Sequence, residues 1–392
     1  MTGYKRTPSL FIGETLTGVS SPVFFDTHTA LYNKGLPVIN ITGSPGQGKT
    51  FAGLSLTALA AKMGKTIFAI DYKGDLLSIA NLKMDGHISS DVNVWNLQSR
   101  DSRGLLDPFF LSNDDSEILT MTIELINIFV GGLDRSYERE VYPVVADVVK
   151  DHSKPRSLMA VVQELRGSQS ENARDIGAQL HSISNMKYAN LCFYTGRRKS
   201  RDDSLKPGSV TIATLSGMEL PRTDTELTSK TGRLSSGILY LLTNHVSRLM
   251  MQDESPNPKV FVVDEAWAIL STKQGASTIQ STALLGRSKN LVTVLITQSP
   301  THFAHLPIDN TVGMWFAFRG DDKESADIAR KIKLPEDEGF DELIASLEPQ
   351  QCLFSDWSGN FSIMRFSSWK KDWARSFETN PYELAKRRES EQ

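Results

Sequence analysis

Residues 43 to 50 read Gly43-Ser44-Pro45-Gly46-Gln47-Gly48-Lys49-Thr50, a glycine, four intervening residues, then Gly-Lys-Thr. That spacing lets backbone N–H groups curl around the phosphates of a nucleotide. The lysine then reaches the β and γ phosphates, and the threonine hydroxyl ligates Mg²⁺. An apolar, β-rich run, Leu36 to Thr42, precedes the loop, and a helix-prone stretch, Phe51 to Lys65, follows it. The positive end of that helix faces the same phosphates. Strand, loop and helix in this order predict a site for a nucleotide with Mg²⁺.

A second set of polar residues ends other apolar runs. Val262-Val263-Asp264-Glu265 places an aspartate where it can hold Mg²⁺ opposite the phosphate loop, next to a glutamate able to polarise the attacking water. Alone the pair is a common strand ending; beside a phosphate loop it points to hydrolysis rather than binding alone. Gln298, in Leu295-Ile296-Thr297-Gln298-Ser299, suits a γ-phosphate sensor or a water-positioning group better than it does the plain alternative, a strand-end turn residue. Arg287, in Leu285-Gly286-Arg287-Ser288-Lys289, is a candidate for stabilising phosphoryl charge, supplied in cis or by a neighbour, and Arg319 is a second. Either is equally readable as an ordinary cation, Arg287 as one favoured at a helix C-terminus. Asp71-Tyr72-Lys73-Gly74-Asp75 sits at the strand edge where α/β proteins place ligands, although Asp75 reads better as a turn and helix cap. Arg197-Arg198-Lys199-Ser200-Arg201 is followed at once by Asp202 and Asp203, which favours a solvated loop over a phosphate-backbone contact.

These residues need a scaffold, and 392 residues exceed what one core usually serves. With 40% hydrophobic and 23% charged residues the composition is that of a globular protein. A net charge of −3 gives no global footprint for nucleic acid, yet a ring-shaped motor needs basic residues only along its channel. Cys192 and Cys352 lack metal-ligand spacing and fit a reduced interior; His302 and His305 lack ligand partners nearby. No run approaches the ~20 apolar residues of a membrane span and the N-terminus is polar, so membrane attachment is expected only through partners.

The elements alternate. Residues 9–12 and 22–26 read as a short strand pair leading into the phosphate-loop strand, followed by strands at 66–70 and 92–95. From residue 112 to about 204 the pattern turns helical: Ile118, Met121, Leu125 and Phe129 mark one amphipathic face, with Asp114 or Asp115 as cap. Pro143 is expected to start or kink a helix within 137–150, and helices follow at 158–166 and 171–184. Strands at 209–215, 260–263, 291–297 and 314–318 then alternate with helices at 232–252, 278–289 and 323–333. A hairpin, 352–355 with 361–366, turns at Ser358-Gly359-Asn360, and a charged helix closes the chain. Strands apolar on both faces argue a mostly parallel α/β sheet with helices on both faces and an all-helical insert. The expected division is 1–111 and 208–370 for the two parts of the core, 112–207 for the insert, and 371–392 for the terminal helix.

Together these motifs resemble the FtsK/HerA superfamily of ring-forming ATPases, and within it the motor domain of conjugative type IV secretion ATPases of the VirB-four and TraC-like kind. The resemblance rests on Gly43 to Thr50, Asp71-Tyr72-Lys73-Gly74-Asp75, Leu106-Asp107-Pro108-Phe109, Val263-Asp264-Glu265-Ala266-Trp267, Gly286-Arg287 and Thr297-Gln298-Ser299. One departure is Tyr72, where the family usually has proline. The resemblance implies a RecA-like core, with the Gln298 strand between the phosphate-loop and Asp264 strands. It implies a hexamer in which Arg287 completes a neighbour's site. Family members usually carry an N-terminal docking domain, so a motor-only chain or a short variant with a separate anchor is expected. The implied activity is Mg²⁺-dependent ATP hydrolysis that powers substrate transfer or apparatus assembly. The place is the cytoplasm, at the inner face of a bacterial membrane, beside secretion-channel proteins and in contact with DNA if DNA is the cargo. A DNA-pumping translocase of the coupling-protein, HerA-like or phage-packaging type, and a nucleotide-gated assembly scaffold, are the alternatives.

Overall fold

A computed structural model describes residues 9–196, 205–220, 226, 228–298, 312–335, 338–368, 373 and 376–377. Among these residues eleven strands form one sheet: β1 (Leu10–Thr15), β2 (Pro22–Phe25), β3 (Val38–Thr42), β4 (Thr66–Asp71), β5 (Val92–Asn96), β6 (Val210–Thr214), β7 (Lys259–Val263), β8 (Leu291–Thr297), β9 (Val312–Phe318), β10 (Gln351–Ser355) and β11 (Phe361–Phe366). Their spatial order is β2-β1-β11-β10-β9-β3-β8-β7-β4-β6-β5. From β9 to β5 every pairing is parallel, and from β9 through β10, β11 and β1 to β2 every pairing is antiparallel.

The central strands are buried on both faces, so their sequences are continuous apolar runs rather than alternating ones. Successive side chains nevertheless part to opposite sides. Ile39, Ile41, Val260 and Val262 join α1 (Lys49–Lys62) and α2 (Ser78–Met84) in one buried cluster. Val38, Phe261, Val263 and Leu295 join the helices of the other face in a second cluster. That face carries α3 (Asp115–Val130), α4 (Arg135–Lys150), α5 (Leu158–Gly167), α6 (Glu171–Ser184), α7 (Lys230–Gln252) and α8 (Lys273–Gly286). The helical block from α3 to α6 lies between β5 and β6, which are neighbours in the sheet. Its Ile118, Met121, Leu125 and Phe129 belong to the same buried cluster as Phe261 and Leu295, so block and sheet share one core.

Several local expectations shift. The β1–β2 pair forms as expected and lies at the sheet's edge, with β1 against β11. Helix α4 begins at Arg135, where the Asp134 carboxylate accepts the Ser136 and Tyr137 N–H groups, and it continues through Pro143 instead of starting there. Asp114, not Asp115, caps α3 by accepting Glu117 N–H at 3.0 Å. The expected helix at 278–289 begins earlier, at Lys273, where Thr272 caps it. It gives way to a 3-10 turn at Arg287–Lys289. The terminal hairpin turns where expected, with Gly359 at φ +82° and Asp356 accepting the Ser358 and Asn360 N–H groups. The Arg197–Asp203 cluster, His302, His305 and nearly all of 371–392 lie outside the described residues.

Asp107 ties the helical block to the sheet. It is fully buried, caps the short helix Pro108–Leu111 through Phe109 N–H at 3.1 Å, and accepts Leu158 N–H of α5 at 3.2 and 3.0 Å. Asp107→Ala strands these amides and is expected to cost about 2–4 kcal/mol, with Asp107→Asn costing less because one acceptor remains. Urea unfolding measures this; an unchanged midpoint in Asp107→Ala would contradict the role.

Candidate active site

Strands β3, β8 and β7 run parallel and adjacent, with Thr42 level with Thr297 and Val263 level with Leu295. Whatever follows their C-terminal ends must therefore emerge along one sheet edge, the usual ligand edge of open α/β sheets. The phosphate loop follows β3, Gln298 follows β8, and Asp264-Glu265 follows β7. All three reach one cavity of about 450 Å³, whose lining includes Lys49, Thr50, Asp264, Glu265 and Gln298.

The loop's backbone is fixed by its neighbours. Gly43 has φ +144°, and a Cβ there would stand 2.7 Å from Phe318 Cβ, so only glycine fits. Ser44 N–H donates to Arg319 O at 2.7 Å, and the Ser44 hydroxyl donates to Glu324 Oε2 at 3.2 Å. Gln350 N–H donates to Gln47 O at 2.8 Å. Gly48, at φ +110°, opens α1 with no side-chain cap, so the first amides of the helix stay available to an anionic ligand. Lys49 is buried, its ammonium donating to Ser44 O at 2.7 Å. Burial pushes its pKa down to about 8, against the pull of Glu265.

The acids differ in surroundings although adjacent. Asp264 is pushed up to about 7, first by burial and then by the Glu265 and Asp71 charges. Its Oδ2 is buried with no hydrogen-bond partner among the described residues. An orphaned hard oxygen on an acid that lines the same cavity as Thr50 suits Mg²⁺, which takes few protein ligands and keeps its waters. Glu265 sits at φ +49°. Burial raises its pKa, but the Lys73 ammonium, Gln298 and Trp267 outweigh that and hold it below the usual carboxylate range. Gln298 Nε2 donates to both Glu265 oxygens, at 2.8 and 3.0 Å, Trp267 Nε1 donates at 2.5 Å, and Lys73 forms an ion pair with the same carboxylate.

Other candidates stand elsewhere. Arg287 is exposed, at the opposite end of β8 from Gln298, about 20 Å away at strand rise per residue, so it does not reach its own chain's cavity. Arg319 touches the loop through its backbone carbonyl, while its side chain is exposed. In the Asp71–Asp75 turn Asp71, rather than Asp75, bonds the amides, accepting from Gly74 N–H at 2.8 Å and Leu76 N–H at 3.1 Å. Burial raises Asp71 to about 6. The sequence reading missed Lys73 and Trp267 as partners of Glu265, although both lay inside motifs it singled out. It missed Gln350, which carries no local signal, altogether.

The family model of the AAA-like domain matches residues 32–377. The uncharacterized protein YddE of Bacillus subtilis (strain 168) is 22% identical over 92% of this chain and 46% of its own length, so the chain spans about half of that curated relative. Among solved structures, VirB4 of Thermoanaerobacter pseudethanolicus is similar with a TM-score of 0.72 at 14% identity, covering 98% of this chain and 100% of that one. The plasmid coupling protein TrwB, in complex with the non-hydrolysable ATP analogue ADPNP, is similar with a TM-score of 0.61 at 14% identity, covering 94% and 96%. These structures share the fold, a mostly parallel P-loop sheet flanked by helices. By the match across most of its length, the chain belongs to the AAA-like domain family.

Proposed function

We propose that the chain is an ATP-hydrolysing motor of a conjugative type IV secretion system, acting as a ring of copies to drive substrate transfer or apparatus assembly. The carrying observation is the convergence of Lys49, Thr50, Asp264, Glu265 and Gln298 on one cavity. The fold shared with VirB4 and with nucleotide-bound TrwB supports the reading.

In this reading the loop amides and Lys49 hold the β and γ phosphates, and Thr50 and Asp264 would hold Mg²⁺. When bound, Mg²⁺ neutralises charge that develops on the phosphate oxygens. Glu265 orients a water and accepts its proton as the water oxygen bonds to the γ-phosphorus. The bond to the β–γ bridging oxygen breaks, leaving ADP and phosphate. Gln298, hydrogen-bonded to Glu265, couples the γ-phosphate position to that carboxylate. Arg287, remote from its own cavity and exposed, is assigned to a neighbour's site, which requires the ring. Residues 112–207 are read as the insert within a core of 1–111 and 208–370, with 371–392 as a terminal helix. Among the described residues no helix is long and apolar enough to cross a membrane. We therefore assign membrane placement to secretion-channel partners, at the cytoplasmic face, with DNA a candidate cargo.

Lys49→Ala and Glu265→Gln are each expected to lower ATP turnover by about a hundredfold or more, measured as phosphate release. A wild-type rate in either variant sinks the assignment. Arg287→Ala tests the ring: alone it and Lys49→Ala should be inactive, while mixing the two should restore part of the turnover by pairing an intact loop with a neighbour's intact arginine. No recovery on mixing, or an active Arg287→Ala, contradicts action in trans.

A further inference from the structure

Glu265 is held by more donors than a base awaiting a proton needs. Lys73, Gln298 and Trp267 together occupy both of its oxygens. A carboxylate so engaged directs its lone pairs at protein groups rather than at water. Two of the donors are set in place by the fold. Gln298 directly follows β8, and the buried Trp267 starts the short helix Trp267–Leu270.

Lys73 is different. Its backbone belongs to the turn that Asp71 pins through Gly74 and Leu76, yet its side chain is 50% exposed. A fixed Cα with a flexible four-carbon stem lets the ammonium move while its origin stays put. Lys73 lines the phosphate-loop cavity beside Lys49 and Thr50. It also lines a second cavity of about 510 Å³, with Glu219, Glu265 and Trp267. The lysine and the carboxylate it pairs with therefore both face the space where phosphates would lie.

We propose that Lys73 is a positioning residue that clamps Glu265 until a nucleoside triphosphate arrives, then transfers its ammonium to the terminal phosphate and frees the carboxylate to engage water. The inference rests on the reading of Glu265 as the water-activating group. A terminal phosphate offers a denser negative charge than one carboxylate and forms short, charge-assisted hydrogen bonds. Once Lys73 has moved, Gln298 and Trp267 still orient Glu265, and one lone-pair direction opens toward water. A diphosphate lacks the group that recruits Lys73, so the clamp stays closed.

The test measures the affinity of wild type, Lys73→Met and Lys73→Arg for ADP and for a non-hydrolysable ATP analogue, each with Mg²⁺, by displacement of a fluorescent nucleotide from the full chain. Loss of one charged contact to the terminal phosphate predicts analogue binding about tenfold weaker in Lys73→Met, with ADP binding within about twofold of wild type. Lys73→Arg should keep most of the preference for the analogue. Equal weakening of both nucleotides in Lys73→Met, unchanged analogue binding, or a Lys73→Arg no better than Lys73→Met overturns the proposal. Because the assay involves no turnover, such a failure is distinct from failure of the Glu265 assignment, which the Glu265→Gln rate decides.

Discussion

Parallel pairing of β3 with β8 and of β8 with β7 is the constraint on which the rest of this structure depends. Parallel neighbours in register end at the same edge, so three segments distant in sequence deliver their next residues to one place. The phosphate loop, Gln298 and the Asp264-Glu265 pair each need little local machinery to meet there. Both faces of these strands are covered, by α1 and α2 on one side and by the helical block with α7 and α8 on the other. Sliding one strand by a residue would turn apolar side chains from one cluster to the other, so the packing of both faces guards the register of the site.

Within that frame the electrostatics are arranged against water. Lys49 and Asp264 are each buried where their charged forms are disfavoured, the lysine to about 8 and the aspartate to about 7. Both have their charge of use supplied by the ligands the site is read to take: phosphates for the lysine, a divalent cation for the aspartate. Glu265 has its charge stabilised in advance by three side chains. Adjacent carboxylates thus carry different protonation preferences, a division that fits one to metal binding and the other to water.

Much of this was legible in the sequence, for reasons that are local. The phosphate loop is contiguous, and its glycines answer to backbone conformations that other residues rarely adopt. Buried parallel strands announce themselves as unbroken apolar runs, and polar residues at their ends stand out. The placement of the Gln298 strand between the other two came from family resemblance, and the sheet order has it there. What escaped depends on contacts between remote segments. Nothing near Lys73 says that it will meet Glu265, and nothing near Gln350 says that it will brace Gln47. The edge position of β1 and β2 was hidden for the same reason, since strand pairing is settled by the whole sheet. Pro143 stands inside α4 rather than at its start because the Asp134 cap begins the helix two turns earlier.

The central claim is that the loop and the acids serve one nucleotide. A crystal structure of the protein with Mg²⁺ and a non-hydrolysable ATP analogue tests it most directly. The account predicts the phosphates on the loop amides and Lys49, the metal at the Thr50 hydroxyl and facing Asp264, and the γ-phosphate within reach of Glu265 and Gln298. A nucleotide bound away from the loop, or phosphates on the loop with Asp264 and Glu265 turned from the metal and the γ-phosphate, would contradict it.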